Sequence, residues 1–475
     1  MKNLFSPTIK KLLLTVVSQG LVLGLSVITG FLLPKMMGPE NFGYWQVYLF
    51  YLAYLNLFGF GFNDGIALFY GGYYYEDLPF TRLRAGMKVV YLYQAVLTAL
   101  GIAVVYLLCG AGIYRTIYLA LMINVPLTCL QCIILTTFLS VGRTEAYNLI
   151  NLVLKMLSVG FCLALLFGGY NDPVRMIAAD TAARLIITVV CFVMGRRFPF
   201  GKSDSLKEGF AEIVEKSKAG ILITIATIAS MLMPVLGRTV VERNESIAAY
   251  GIYSFAMSLL TIILSFANVL GTVIFPILKR MDEEEMTKSY TRFSTVCNGF
   301  VSCALFLYVV LTFIVRHWMT QYIPALEYLH YLLAMCLPLA RAQLLITPYY
   351  KAKRYEKQLF YANVLGVGGM FAVLLGAYFL FRSVTAVAVG TVVVLTVWTF
   401  CAEWYLNRGA QRRQMIRQTV GQVAVMACFC LAGGMTSLGL FAAIYAVVVA
   451  LYFVWMRKDV AEIIRLYARK DAAEE

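Results

Sequence analysis

Five charged residues stand inside long apolar runs of this sequence: Asp64, Lys155, Asp180, Arg184 and Arg341. In hydrocarbon each costs about 2.5–3.5 kcal/mol on insertion scales, so each needs a partner or a water-filled cavity. Arg341 has no acidic residue within a helical turn, and its planar guanidinium matches phosphate oxygens in two-pronged fashion. It is the leading candidate for an anion contact. Asp180 and Arg184 are four residues apart and can pair on one helix face. Lys155 can join them or snorkel away, and substrate contact is the competing role for all three. Asp64, in GFNDGIALFYGG, sits among glycines that permit close helix packing. It reads either as a cavity or gate residue or as a buried carboxylate held by nearby backbone.

Other reactive types are sparse. Cys129 and Cys132 form a lone CxxC with no second pair, so no metal or redox site is expected. The two histidines, His317 and His330, fall near one membrane interface, as do Arg238, Glu242 and Arg243, while Glu403 falls near the other; interfacial solvation accounts for the four charged residues. Pro126, Pro338 and Pro234 are hinge candidates, the first two as kinks of equivalent helices and the third as a break in its own. Tyrosines cluster at the ends of apolar runs, as at Tyr73 to Tyr75, Tyr349 and Tyr350, where an aromatic belt is expected.

The elements that must position these residues follow from composition. The chain is 61% hydrophobic with charge on 14% of positions, against about 25% in an ordinary soluble domain. Apolar runs of roughly 20 residues recur, the length a helix needs to cross about 30 Å of hydrocarbon, and no strand alternation of a barrel is present. The expected fold is an all-α polytopic membrane protein of about 14 transmembrane helices. Spans are predicted over 12–33, 44–70, 89–109, 117–139, 149–167 and 174–194, then over 221–241, 247–278, 293–315, 328–349, 359–380 and 384–406, with a closing pair at 415–431 and 438–456. The basic start resembles a signal peptide, but its apolar run is too long for a signal core, so it is expected to remain as the first span.

This organisation predicts an N-lobe at 1–195, a linker at 196–218, a C-lobe at 219–408, a helix pair at 409–456 and a tail at 457–475. In the linker, Ser203 or Asp204 can cap a helix with Leu206, Phe210, Ile213 and Val214 on one face, expected to lie along the headgroups. The tail reads as a second surface helix with Val460, Ile463, Ile464 and Tyr467 as its apolar face.

The net charge of +15 invites a nucleic-acid partner, but topology explains it. With the N-terminus in the cytoplasm, only Lys35, Arg115, Arg175, Arg238, Arg243, Arg316 and Arg382 fall in external loops, three cations lie within spans, and the remaining thirty of forty Lys and Arg are internal. No nucleic acid is expected. Both termini are then cytoplasmic, and no loop is large enough to hold an active site.

The two lobes read as copies. At an offset of 212, Pro126, Leu127, Gln131, Ile134 and Asn151 are matched by Pro338, Leu339, Gln343, Ile346 and Asn363, and at an offset of 208 Phe42-Gly43-Tyr44 resembles Tyr250-Gly251-Ile252-Tyr253. Six spans per copy is an even number, so the copies are expected to be related by an axis along the membrane normal, as in transporters that rock two lobes about a central cavity.

The stretch GPENFGYWQVYLFYLAYLNLFGFGFNDGIALF resembles the opening of polysaccharide-biosynthesis flippases of the multidrug/oligosaccharidyl-lipid/polysaccharide exporter superfamily, through its GPE-FG turn and the D-G-x-A that includes Asp64. The resemblance implies a non-enzyme that moves an undecaprenyl-pyrophosphate-linked glycan across the bacterial cytoplasmic membrane by alternating access. It implies no cofactor, Na+ or H+ as candidate coupling ions, membrane lipids as partners and polysaccharide assembly proteins as possible ones. Arg341, Arg184 and Lys155 would be the cavity cations, and Lys202, Lys207, Lys216 and Lys218 of the linker could draw an anionic lipid carrier to the cavity mouth. The family pattern around Asp64 often continues to an arginine, where this chain has Phe69-Tyr70-Gly71. The lipid II branch carries arginines in its early helices, whereas residues 12–33 hold no charge, which points to an O-antigen, capsule or exopolysaccharide unit. The rivals are a cation-coupled multidrug exporter, with Asp64 or Asp180 as its buried acid, and a membrane-embedded glycosyltransferase or polymerase.

Overall fold

A computed structural model of the chain describes residues 7–278, 281–407, 410–435, 437–457, 459 and 461, and contains no strand among them. The predicted tail helix with Val460, Ile463, Ile464 and Tyr467 lies outside the described residues. Among the described residues, thirteen helical segments are long and apolar enough to cross a membrane. The first, Gly20–Gly59, carries predicted span 1 and the start of span 2, with a non-helical break at Gly38 between Pro34 and Pro39. The fourteen predicted crossings are therefore all present, the thirteenth included, and the protein is a multi-pass membrane protein.

The chain divides into two compact units. The first comprises residues 1–228 and 247–251, the second residues 229–246 and 252–475. In the first, α1 (Pro7–Leu52) packs on α4 (Ile113–Ser140), α5 (Thr144–Phe167) and α6 (Pro173–Met194), while α2 (Phe62–Tyr70) and α3 (Phe80–Leu108) pack on α4. Phe62, Tyr75, Ile134, Phe138, Ile187 and Phe198 form its apolar core. The predicted second span is split: α1 ends at Leu52, a 3-10 turn covers Leu55–Gly59, and α2 begins at Phe62.

The linker differs from a surface helix. It opens α7 (Leu206–Leu232), which runs on without interruption into the next span. Its cap is Ser205 in a reciprocal box with Glu208, the Ser205 N–H donating to Glu208 Oε2 at 2.8 Å and the Glu208 N–H to Ser205 Oγ at 3.3 Å. Neither Ser203 nor Asp204 caps it. The residues most deeply buried are Gly209, Glu212, Lys216 and Gly220; of the predicted apolar face Leu206 and Phe210 stay exposed, while Ile213 and Val214 are half-buried, Ile213 against the apolar core. Charge partners explain the difference. Glu212 accepts from Tyr70 Oη at 2.5 Å and pairs with Arg82 Nε at 2.8 Å, and Lys216 pairs with Glu215 at 3.2 Å and lies 3.7 Å over the Phe69 ring. A Cβ on Gly220 would collide with the Gly61 carbonyl, and one on Gly65 with the Lys216 carbonyl, so backbone contact with α2 requires glycine there. Upstream, Arg84 of α3 donates to the carbonyls of Arg197 at 2.8 Å and Lys202 at 2.6 Å.

The second unit continues through α8 (Leu236–Asn244), α9 (Ile247–Leu278), α10 (Glu283–Ala304), α11 (Leu307–Trp318), α12 (Leu326–Ala334), α13 (Cys336–Arg341), α14 (Thr347–Ala352), α15 (Glu356–Phe381), α16 (Val384–Leu406), α17 (Ala410–Gly433) and α18 (Leu438–Trp455). Pro234 breaks its helix, a 3-10 turn at Met233–Val235 separating α7 from α8. The other two prolines behave unequally. Pro338 cannot donate to the Ala334 carbonyl, and α12 stops at that residue, with a π-helical turn at Ala342–Ile346 beyond it. Pro126 sits in an uninterrupted α4, where the carbonyl it orphans, that of Met122, accepts from Thr98 Oγ1 at 3.5 Å.

The repeat is visible in the helix ends. α4 ends at Ser140 and α14 at Ala352, α5 starts at Thr144 and α15 at Glu356, α6 ends at Met194 and α16 at Leu406, all at the 212-residue offset seen in sequence. Tyr349 and Tyr350 leave the predicted belt. Both are buried, with Tyr349 Oη bonded to Ser289 Oγ at 2.7 Å and Tyr350 Oη donating to the Ala402 carbonyl at 3.0 Å.

Candidate functional site

Four helices of the first unit converge on Asp180. One of its oxygens accepts from Tyr48 Oη of α1 and from Arg184 Nε, each at 2.8 Å; the other accepts from Ser158 Oγ of α5 at 2.5 Å. The i,i+4 spacing thus does form an ion pair. Asn124 of α4 extends the cluster by donating to Thr181 Oγ1 at 2.9 Å, and Gln131 caps its far side by donating to the Arg184 carbonyl at 2.7 Å and Thr188 Oγ1 at 2.8 Å.

Asp180 is buried, and side chains engage both of its oxygens. The cations are less confined. The Arg184 side chain keeps 17% of its exposure, and Lys155 is half-buried on α5, within electrostatic reach of Asp180 and Arg184, and donates no hydrogen bond among the described residues. Two positive charges against one negative leave the cluster one charge positive. It can hold an anionic group without adding to the charge imbalance.

Asp64 is not part of this cluster's bonding. It occupies the first turn of α2 and accepts from Thr224 Oγ1 of α7, beside the glycine contact of those helices. Its partner is therefore a side chain on another helix rather than the nearby backbone expected for a buried carboxylate.

Arg341 corrects the leading expectation. Its side chain is 1% exposed and bonded to Glu403 of α16, Nε to Oε1 at 2.7 Å and Nη2 to Oε2 at 2.5 Å. The partner lies 62 residues along the chain, which is why a search within one turn misses it. Glu403 is likewise 1% exposed, not an interfacial solvated acid. His330 is buried beside Tyr308 and Tyr331. Cys129 and Cys132 are free thiols within α4, and no cluster of three or more His, Cys, Asp or Glu able to hold a metal occurs among the described residues.

Tyr48, Ser158 and Asn124 are site residues that sequence reasoning missed. A polar residue inside an apolar run was the available signal, but Ser, Asn and Tyr are too common there to stand out.

Residues 8–282 match the family described as polysaccharide biosynthesis protein. The chain belongs to that family. No curated protein matches by sequence. Among solved structures, one of the lipid II flippase MurJ in an inward closed conformation superposes with a TM-score of 0.70 at 12% identity, covering 95% of this chain and all of that one. An inward-facing multidrug resistance MATE family transporter of the MOP superfamily gives 0.57 at 10% identity, over 86% and 99% of the two chains. A MOP superfamily transporter from Pyrococcus furiosus gives 0.53 at 10%, over 89% and 96%. The fold of this family member is thus that of these flippases and transporters.

Proposed function

We propose that the protein is a flippase that moves a polyprenyl-pyrophosphate-linked oligosaccharide across the cytoplasmic membrane of a bacterium by alternating access, without chemistry on its cargo. The observation that carries this reading is the combination of a polysaccharide biosynthesis family with a transporter fold: a saccharide pathway has little use for such a fold except to carry an intermediate past the bilayer. The net-positive Lys155, Asp180 and Arg184 cluster supports it, since a pyrophosphate in hydrocarbon needs cations with pre-set geometry. Capsule, O-antigen or exopolysaccharide units are the proposed cargo, and the charge bias of the loops supports a cytoplasmic location for both termini.

The test is a leaflet-resolved assay in proteoliposomes supplied with lipid-linked oligosaccharides and with imposed Na+ or H+ gradients. Protein-dependent movement of the glycan headgroup supports the reading, and dependence on one gradient identifies the coupling ion. Transport of organic dye cations with no movement of lipid-linked glycan would instead assign the exporter role, and sugar transfer or polymerisation by the isolated protein would assign an enzyme.

A further inference from the structure

In the first unit, the face where α4 and α6 end and α3 and α5 begin carries a cation cluster separate from the Lys155, Asp180 and Arg184 site. Its floor is aromatic. Tyr75, Phe80, Phe138 and Phe198 form a connected set with ring centroids 5.3 to 6.1 Å apart. Arginines lie on that floor: Arg143, in the turn between α4 and α5, stacks over Tyr75 at 3.6 Å, and Arg197, in the loop after α6, sits over Tyr75 at 5.9 Å and Phe80 at 5.8 Å. Arg84 brackets the same loop through the carbonyls of Arg197 and Lys202. The loop closes tightly on it, since a Cβ at Gly201, where φ is +122°, would come within 2.7 Å of the Arg84 guanidinium. The Asp204 N–H ties the end of the loop to the Thr81 carbonyl at 3.2 Å.

The cluster is under-neutralised. Arg143 pairs with Glu76 at 3.3 Å, whereas Arg84, Arg196, Arg197 and Lys202 form no ion pair among the described residues, with Asp77 and Asp204 in the adjoining turns. Arg196, Arg197 and Lys202 are exposed. Tyr75 is 6% exposed, yet its hydroxyl makes no hydrogen bond among the described residues and lies within electrostatic reach of Arg143, Arg196, Arg197 and Glu76. A basic face alone would follow from the bias of cytoplasmic loops toward Lys and Arg. That bias does not require arginines stacked on one aromatic floor, a bracket that holds their loop, or a buried hydroxyl donor among them.

Guanidinium forks beside a hydroxyl donor match the oxygens of a phosphate. Position selects the kind of phosphate. The cluster lies at the ends of four membrane-crossing helices, which is headgroup level, and Val193 and Phe200, 67% and 68% exposed, flank Arg196 and Arg197 with apolar surface. We propose that this cluster binds an anionic phospholipid, with Arg143, Arg197 and the Tyr75 hydroxyl on its phosphate, Arg196 and Lys202 adding charge, and Val193 and Phe200 against its acyl chains.

Native mass spectrometry of the full-length protein in detergent, titrated with phosphatidylglycerol and separately with phosphatidylcholine, tests the site. Phosphatidylglycerol is expected to bind at least about tenfold tighter, and Arg143→Gln combined with Arg197→Gln to remove that preference. The matched control is Arg115→Gln combined with Arg175→Gln, which removes two arginines stacked on Tyr106 and Tyr170 at the opposite ends of these helices. It is expected to leave the preference intact, and an equal loss there would reduce the effect to general charge and overturn the proposal. Tyr75→Phe removes only the hydroxyl, so about fivefold weaker phosphatidylglycerol binding at unchanged Tm is expected even if the arginine variants fold poorly; unchanged affinity would overturn the proposed phosphate contact. Displacement of phosphatidylglycerol by equimolar inorganic pyrophosphate would assign a soluble anion, and by equimolar undecaprenyl pyrophosphate a cargo site, either of which overturns the proposal.

Discussion

The two units use buried charge in opposite ways. In the first, Asp180 and Arg184 pair along one helix, share their environment with Lys155, and leave a net positive charge with partial exposure. In the second, Arg341 and Glu403 pair across two helices, at 1% exposure each, and leave no net charge. The repeat sharpens the contrast. At the 212-residue offset, Arg341 and Glu403 correspond to Cys129 and Cys191, both buried, while Asp180 and Arg184 correspond to Val392 and Thr396. Helix ends are kept between the copies and the charged pairs are not, so neither pair is a requirement of the shared scaffold. A pair that ties α13 to α16 with no exposure holds a lobe together, and one with a surplus cation can receive an anion.

The largest test of that contrast is Arg341→Ala. It strands a buried carboxylate, which costs about 3–5 kcal/mol, so a large fall in thermal stability and in folded yield is expected. Replacing both partners by apolar residues, as in Arg341→Met with Glu403→Met, is expected to recover most of the lost stability, since a buried pair exchanged for well-packed side chains is often neutral. If Arg341→Ala instead unfolds like the wild type and only flux falls, Arg341 belongs with the cargo-binding cations and the contrast fails.

What the sequence made legible here is what depends on local pattern. Hydropathy fixes the spans because a helix must cover the hydrocarbon whatever its neighbours, and the repeat registers them to the residue. The Asp180–Arg184 pair is legible because both partners lie on one helix face. Partners on different helices are not. Nothing along the chain links Glu403 to Arg341, and the apolar residues of α7 do not reveal its buried face, because Tyr70, Arg82 and the glycines of α2 that meet Glu212 and Gly220 come from more than a hundred residues upstream. The unequal behaviour of Pro126 and Pro338 has the same origin: Thr98 on a neighbouring helix receives one orphaned carbonyl.

A smaller effect on stability is expected from Arg184→Ala. Asp180 keeps its bonds from Tyr48 and Ser158, so the loss should stay near about 1–3 kcal/mol, well short of Arg341→Ala, while translocation of a pyrophosphate-linked glycan falls sharply. Comparing the two variants in the same unfolding and flux assays separates a structural pair from a working one.

Lys155→Ala is the smallest perturbation and the most selective. Lys155 makes no hydrogen bond among the described residues and is only half-buried, so its removal should shift stability by less than about 1 kcal/mol. Its removal also takes away the surplus charge, leaving Asp180 and Arg184 as a neutral pair. Glycan flux is therefore expected to drop about tenfold, equivalent to about 1.4 kcal/mol of lost anion binding, with Lys155→Arg restoring most of it because charge rather than shape is the requirement. Unchanged flux in Lys155→Ala, with folding intact, would make the first unit's cluster as structural as the second's.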